Sequence, residues 1–218
     1  YCTNLVLYYI GGLLNNLLPG GIGGDAYKVL LIKARYNFSK LKSLRAVFYE
    51  RANGMAVLSL FGMICLWYSG FAFPYKAAFC LLAGVFLLPC HILVAKLILK
   101  DGAAFRALPF SVLVQGSQIA LIYCIILALE EGAHWTTIFN YCTLYIAATI
   151  VSILPISIGG VGIREATFLY GDYLLGGGAS SSAVSIAFVA SLIYITTTLL
   201  GLVFWFKRGA KPEVIEGA

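Results

Sequence analysis

The sequence predicts an all-α membrane protein with several membrane-spanning helices, arranged as an inverted repeat of a re-entrant helical hairpin plus a transmembrane helix. Its composition, its long runs without charge and a glycine motif that occurs twice support this prediction. The 218 residues are 61% hydrophobic and 11% charged, whereas soluble domains are about 45–50% apolar and about 25% charged. A helix needs about 20 residues to cross a bilayer. Runs free of Asp, Glu, Lys and Arg approach or exceed that length at residues 1–24, 52–75, 77–95, 107–129, 132–163 and 173–206.

The positive charges are concentrated beside these apolar runs. Thirteen of the fifteen Lys and Arg residues lie in three clusters, at 28–51, 96–106 and 207–211. Lys and Arg next to membrane spans mark the cytoplasmic side. We therefore attribute the net charge of +6 to membrane orientation and expect no nucleic-acid partner. The basic loops and the C-terminus are predicted to be cytoplasmic, in a multi-pass protein of the cell (plasma) membrane.

This orientation predicts the path of a single transmembrane domain over residues 1–218. Its parts, in chain order, are a first repeat at 3–70, linking spans at 76–97 and 109–129, a second repeat at 139–206 and a cytoplasmic tail at 207–218. The chain has no initiator Met and begins inside an apolar run. We therefore expect it to be a fragment that lacks its first helices.

Two segments are incompatible with simple spans. The charge-free run 132–163 would measure roughly 48 Å as one helix, against about 30 Å of hydrocarbon. Pro155 must interrupt it, and the next stretch, 163–175, is too short to cross alone. These lengths predict a hairpin that enters the membrane from outside. The same reasoning, with a break at Pro19, predicts a hairpin that enters from the cytoplasm.

The two breaks share one motif. LPGGIGGDAYK begins at Leu18 and LPISIGGVGIR begins at Leu154, an offset of 136 residues at which Lys28 corresponds to Arg164. Three predicted crossings separate the copies, so the second is inverted relative to the first. Interrupted hydrophobic segments at matching positions in two inverted halves are typical of the binding site of a transporter.

The chemistry of the motif predicts an anion site. Glycines allow the backbone to approach a ligand closely, and a helix N-terminus attracts negative charge. A Lys or Arg at the bilayer centre costs at least about 2.5–3.5 kcal/mol and is usually functional. We predict that Lys28, Arg164 and two helix N-termini hold a phosphate; the alternative is that both loops are only tight packing corners. The predicted substrate-binding set is Gly20, Gly21, Gly23, Gly24, Asp25, Lys28, Glu50, Arg51, Ser157, Gly159, Gly160, Gly162, Arg164 and Glu165.

The carboxylates in this set have alternative roles. Glu165 and the adjacent pair Glu50 and Arg51 either form local ion pairs or contact the ligand. Asp25 either caps its helix or meets a cationic headgroup or a proton. Elsewhere, Gln115, Ser117 and Gln118 are predicted to form hydrogen bonds between helices. The six cysteines show no CxxC spacing, and we expect no metal, no cofactor and no disulfide framework.

Three segments in order, NNLLPGGIGGDAYK, YERANG at 49–54 and LPISIGGVGIREATF, resemble the lysylphosphatidylglycerol synthase transmembrane, or flippase-like, family. That family includes relatives linked to dolichol-phosphate-glucose processing. The resemblance implies a multi-pass domain that handles lipid headgroups, in some members by moving aminoacylated phospholipids between leaflets. Family members usually have more helices before the first motif. Some also carry a soluble aminoacyl-transferase domain, which does not occur within these 218 residues, so the resemblance does not extend to synthase activity.

Two functions are compatible with these observations. The first is a lipid transporter that translocates or binds an anionic or aminoacylated phospholipid, or a polyprenyl-phosphate-linked headgroup. The alternative is a membrane subunit or enzyme of lipid-linked aminoacyl or glycosyl modification. An enzyme needs a convergent set of catalytic groups, and the carboxylates expected at depth are only Asp25, Glu50 and Glu165. We therefore favour transport, with membrane lipids as the expected partners and no catalytic residue assigned.

Overall fold

The computed structural model describes residues 2–18, 23–72, 74, 76–77, 81, 103–130, 132–152, 160–175 and 181–208. This part of the chain contains seven α-helices and no strand, which confirms the predicted all-α class. The helices are α1 Cys2–Leu17, α2 Gly23–Tyr36, α3 Lys40–Tyr68, α4 Ala103–Leu129, α5 Trp135–Val151, α6 Ile163–Leu174 and α7 Ser181–Arg208.

Two helices have the length and composition of membrane spans. Residues 108–129 of α4 and 181–206 of α7 are long and apolar enough to cross a bilayer, and α5 is apolar but shorter. These two stretches agree with the predicted span at 109–129 and with the charge-free run 173–206. The predicted span at 76–97 falls almost entirely outside the described residues, and a membrane crossing by the charge-free run 52–75 stays a prediction.

The link between α2 and α3 follows from two local features. Asn37 has φ of 50°, in the left-handed region that Asn tolerates better than most residues. The Ser39 hydroxyl then accepts a hydrogen bond from the Lys42 backbone N–H at 3.3 Å, as expected for an N-cap. The basic stretch after Ser39 and the apolar stretch after Arg51 form one continuous helix, α3, because no Pro lies between them and the only Gly, Gly54, is tolerated.

The described residues form two compact units. The first takes in described residues of 1–48, 152–161 and 191–218, and the second those of 49–151 and 162–190. In the first unit α1 packs on α2, and in the second α5 packs on α6 and on α4. Each of the short helices α2 and α6 therefore lies against the helix that precedes it, as the hairpin prediction requires.

The order of helices repeats along the chain. A helix pair and then a long helix occur as α1, α2 and α3, and again as α5, α6 and α7. This is the order that the sequence repeat predicts. The interruptions at 19–22 and 153–159, with Pro19 and Pro155, lie outside the described residues. The inverted relation of the copies and the re-entrant paths stay predictions.

Cysteine labelling tests the predicted orientation. In a chain whose six cysteines are replaced, Lys40→Cys should react with a membrane-impermeant maleimide only from the cytoplasm, and His134→Cys only from outside. Both side chains are exposed, so each probe reports sidedness rather than burial. Reaction of both positions from the same side would contradict the inverted-repeat topology.

Candidate functional site

The first motif brings the backbones of α1 and α2 very close together. Gly23 and Gly24 open α2 and both are buried. A Cβ atom on Gly24 would overlap with the carbonyl oxygen of Gly11 and lie 2.6 Å from its carbonyl carbon. Both atoms are backbone and cannot move aside, so only glycine fits at position 24. The predicted role of glycine as a close-approach residue therefore applies here to helix–helix packing.

A side chain caps the N-terminus of α2. The Gly24 N–H donates to Asn15 Oδ1 at 2.7 Å, which satisfies one of the N–H groups that a helix leaves unpaired at its start. Asp25 lies in the first turn, where a carboxylate is favoured by the helix dipole. Asn15 was absent from the predicted set, because it precedes the capped residue by nine positions and follows no local capping pattern.

Lys28 is buried against α1. It is the sixth residue of α2 and is 9% exposed. Its Nζ lies 4.3 Å from the centroid of the Tyr8 ring, a cation–π distance. A Cβ atom on Gly11 would lie 3.4 Å from Lys28 Cε, so the lysine stem packs directly beside Gly11. The lysine thus lies along the α1–α2 contact and is not exposed to solvent.

The second motif contains two backbone positions that require glycine. Gly160 and Gly162 have φ of 80° and 84°, in the left-handed region that glycine adopts without strain. The Gly162 N–H donates to Glu165 Oε2 at 2.7 Å. Glu165 therefore caps the N-terminus of α6, a local role that adds to the two predicted for it.

Arg164 belongs to the face of α6 that packs on α5. It is the second residue of α6 and is 8% exposed. Farther along the same face, the ring of Phe168 stacks on that of Tyr141, with 6.2 Å between centroids. A Cβ atom on Gly171 would lie 3.1 Å or closer to the Leu144 side chain. The guanidinium is thus attached to a helix that is held tightly against its neighbour.

One buried carboxylate on this face was missed. Asp172 is 6% exposed and lies eight residues after Arg164, a spacing that returns to the same side of a helix. In the sequence it only preceded the charge-free run 173–206. The i, i+4, i+8 spacing of Arg164, Phe168 and Asp172 was the available signal.

The YERANG segment lies within α3, in the second unit. Glu50 is exposed and Arg51 is half-buried, whereas Asn53, which was not in the predicted set, is almost fully buried. Asn53 Nδ2 donates to Ser111 Oγ at 2.8 Å, which joins α3 to α4. The most deeply buried side chain of this segment is therefore the neutral amide of Asn53.

The predicted residues fall into both compact units. Lys28 lies with the glycines that open α2 in the first unit, to which Gly160 also belongs, and Arg164 lies with Gly162 and Glu165 in the second. Four predicted residues, Gly20, Gly21, Ser157 and Gly159, lie outside the described residues. A phosphate shared by the two motifs stays a prediction. Within the described part of the chain, no group of three or more His, Cys, Asp or Glu could hold a metal ion.

A chain whose described secondary structure is helical, with two apolar helices of spanning length, belongs to the class of integral membrane proteins. The family model described as the lysylphosphatidylglycerol synthase TM region matches residues 3–110. This stretch, about half of the chain and including the first two sequence motifs, belongs to that family, as the resemblance indicated. No curated protein and no solved structure matches the chain. Membership of this family indicates a membrane protein related to lipid handling.

Proposed function

We propose that the protein is a lipid transporter of the flippase type, which binds the phosphate of an anionic or aminoacylated phospholipid, or of a polyprenyl-phosphate-linked headgroup, and carries it between leaflets. The observation that carries the proposal is a buried cation in each motif, Lys28 at 9% and Arg164 at 8% exposure. The match of residues 3–110 to a lipid-handling membrane family supports the choice of a lipid as the ligand.

The position of each cation on its helix favours an anionic ligand. The dipole of a helix stabilises anions near the N-terminus and cations near the C-terminus, by about 0.3–1 kcal/mol at exposed sites and up to about 2 kcal/mol when partly buried. Arg164 is the second residue of α6, where the dipole disfavours a cation, and Lys28 lies in the second turn of α2. A phosphate placed there would interact favourably with both the cation and the helix.

The capping side chains are compatible with such a ligand. An α-helix leaves four N–H groups unpaired at its start, and Asn15 and Glu165 each satisfy one. Glu165 Oε2 accepts a hydrogen bond from the backbone N–H of Gly162, within its own turn. In this proposal the caps hold the short helices in place, while the cations provide the attraction for phosphate.

Reconstitution tests the proposed function. The purified chain in proteoliposomes should move fluorescent phosphatidylglycerol between leaflets faster than protein-free liposomes do, as measured by quenching of the outer-leaflet dye. A fluorescent polyprenyl phosphate is the second probe, and each is assayed with and without a proton gradient. If neither probe moves faster than in protein-free liposomes under any of these conditions, the transport function is wrong.

A further inference from the structure

The contact between α3 and α4 contains two buried amide oxygens without a hydrogen-bond partner among the described residues, Asn53 Oδ1 and Gln115 Oε1. Asn53 is 1% exposed, and its Nδ2 donates to Ser111 Oγ at 2.8 Å. Gln115 follows Ser111 by four residues, so both lie on one side of α4. A Cβ atom on Gly54 would lie 3.3 Å from Gln115 Nε2. The two amides and the hydroxyl therefore meet at the same level of the contact.

Two such oxygens in one contact between helices indicate an occupant. A buried polar atom without a partner is costly, and hydrocarbon provides no water to relieve that cost. The predicted role of Gln115, a hydrogen bond between helices, leaves its oxygen unexplained. What would satisfy these oxygens is either a hydrogen-bond donor or a cation.

The three oxygen atoms match the ligands of a hard cation. Amide and hydroxyl oxygens are hard, neutral ligands of the kind that oxygen-preferring cations use. Divalent cations are usually bound through carboxylates, and this trio contains none. We propose that Asn53 Oδ1, Ser111 Oγ and Gln115 Oε1 bind a monovalent alkali cation, with Na⁺ as the reference ion.

The location of the trio indicates how the cation would reach it. Asn53 follows Arg51 by two residues, and Ser111 lies in the first turn of the apolar stretch 108–129. Both positions are next to basic clusters, on the side predicted to be cytoplasmic. The cation would therefore exchange with the cytoplasm. The binding of the cation does not depend on the proposed function. Its use as a coupling ion for transport does.

Thermal unfolding of the purified full chain tests the site without an activity assay. At constant ionic strength, replacing choline chloride with NaCl or KCl should raise the Tm saturably, and the comparison of the two salts identifies the preferred ion. Ser111→Ala should weaken the midpoint of this rise about tenfold, as expected for loss of roughly 1.4 kcal/mol of binding free energy. Ser117→Ala is the matched control, because the Ser117 hydroxyl bonds the carbonyl of Val114 in its own helix at 2.8 Å.

Two further variants distinguish a cation from a bridging water. Asn53→Asp places a negative charge beside a cation and should move the midpoint to a lower concentration; Gln115→Glu makes the same test from α4 if the first variant does not fold. Equal Tm values in Na⁺, K⁺ and choline would overturn the proposal, as would a rise that Ser111→Ala, Asn53→Asp and Gln115→Glu leave unchanged. A saturable rise without lipid movement would support the cation site and contradict the transport function, so the two failures are distinguishable.

Discussion

Lys28→Gln or Arg164→Gln should each slow the movement of phosphatidylglycerol between leaflets by about 10- to 150-fold. That range corresponds to loss of a hydrogen bond to a charged group, about 1.5–3 kcal/mol. Both cations are buried and lie near a helix N-terminus, so glutamine retains the approximate volume and removes the charge that the phosphate needs. The measurement is dye quenching in proteoliposomes, normalised to folded protein.

A matched control separates phosphate binding from a general effect of basic residues. Lys33 lies on the same helix as Lys28 but is exposed, so Lys33→Gln should leave the rate within about twofold, as expected for a surface change. If Lys28 and Arg164 hold one phosphate, as the sequence repeat predicts, the double variant should be barely slower than either single one. Normal transport by a well-folded double variant would exclude both residues from the headgroup site.

The sequence identified a helix whose ends are marked by glycines. The helix that follows the second motif was predicted at 163–175 and lies at Ile163–Leu174, because glycines precede it and Leu175 begins a glycine-rich stretch. The continuous helix α3 was not foreseen. At Arg51 the composition changes from basic to apolar, which marks a membrane boundary, but neither Arg51 nor its neighbours have a backbone reason to end a helix.

The contacts that define each site join residues that are distant in the sequence, and no local sequence pattern predicts such pairs. Asn53 and Ser111 are 58 residues apart, and Asn15 caps a glycine across the interruption between α1 and α2. Asn favours caps and turns over helix interiors, but Asn15 and Asn53 both lie inside helices, so this preference assigns them no partner. Charged residues were easier to identify, because Lys28 and Arg164 interrupt apolar stretches where a charge is costly.

Gly24→Ala should destabilise the protein by about 1–3 kcal/mol or more, the usual cost of forcing extra volume into a packed contact. The new methyl group would overlap with the carbonyl oxygen of Gly11, and a backbone atom in a helix cannot rotate away. The helices α1 and α2 must therefore separate, which also breaks the hydrogen bond from the Gly24 N–H to Asn15. The measurement is the Tm of the purified chain in detergent.

Two other glycines make the result specific. Gly116 is inside α4, and the nearest heavy atom to a Cβ there is 4.0 Å away, so Gly116→Ala should stabilise by up to about 1 kcal/mol through helix propensity. A methyl group at position 11 would lie 3.4 Å from the flexible stem of Lys28, an ordinary contact distance, so Gly11→Ala should cost less stability than Gly24→Ala. If Gly24→Ala melts at the same temperature as Gly116→Ala, the close contact between α1 and α2 does not exist and cannot position Lys28.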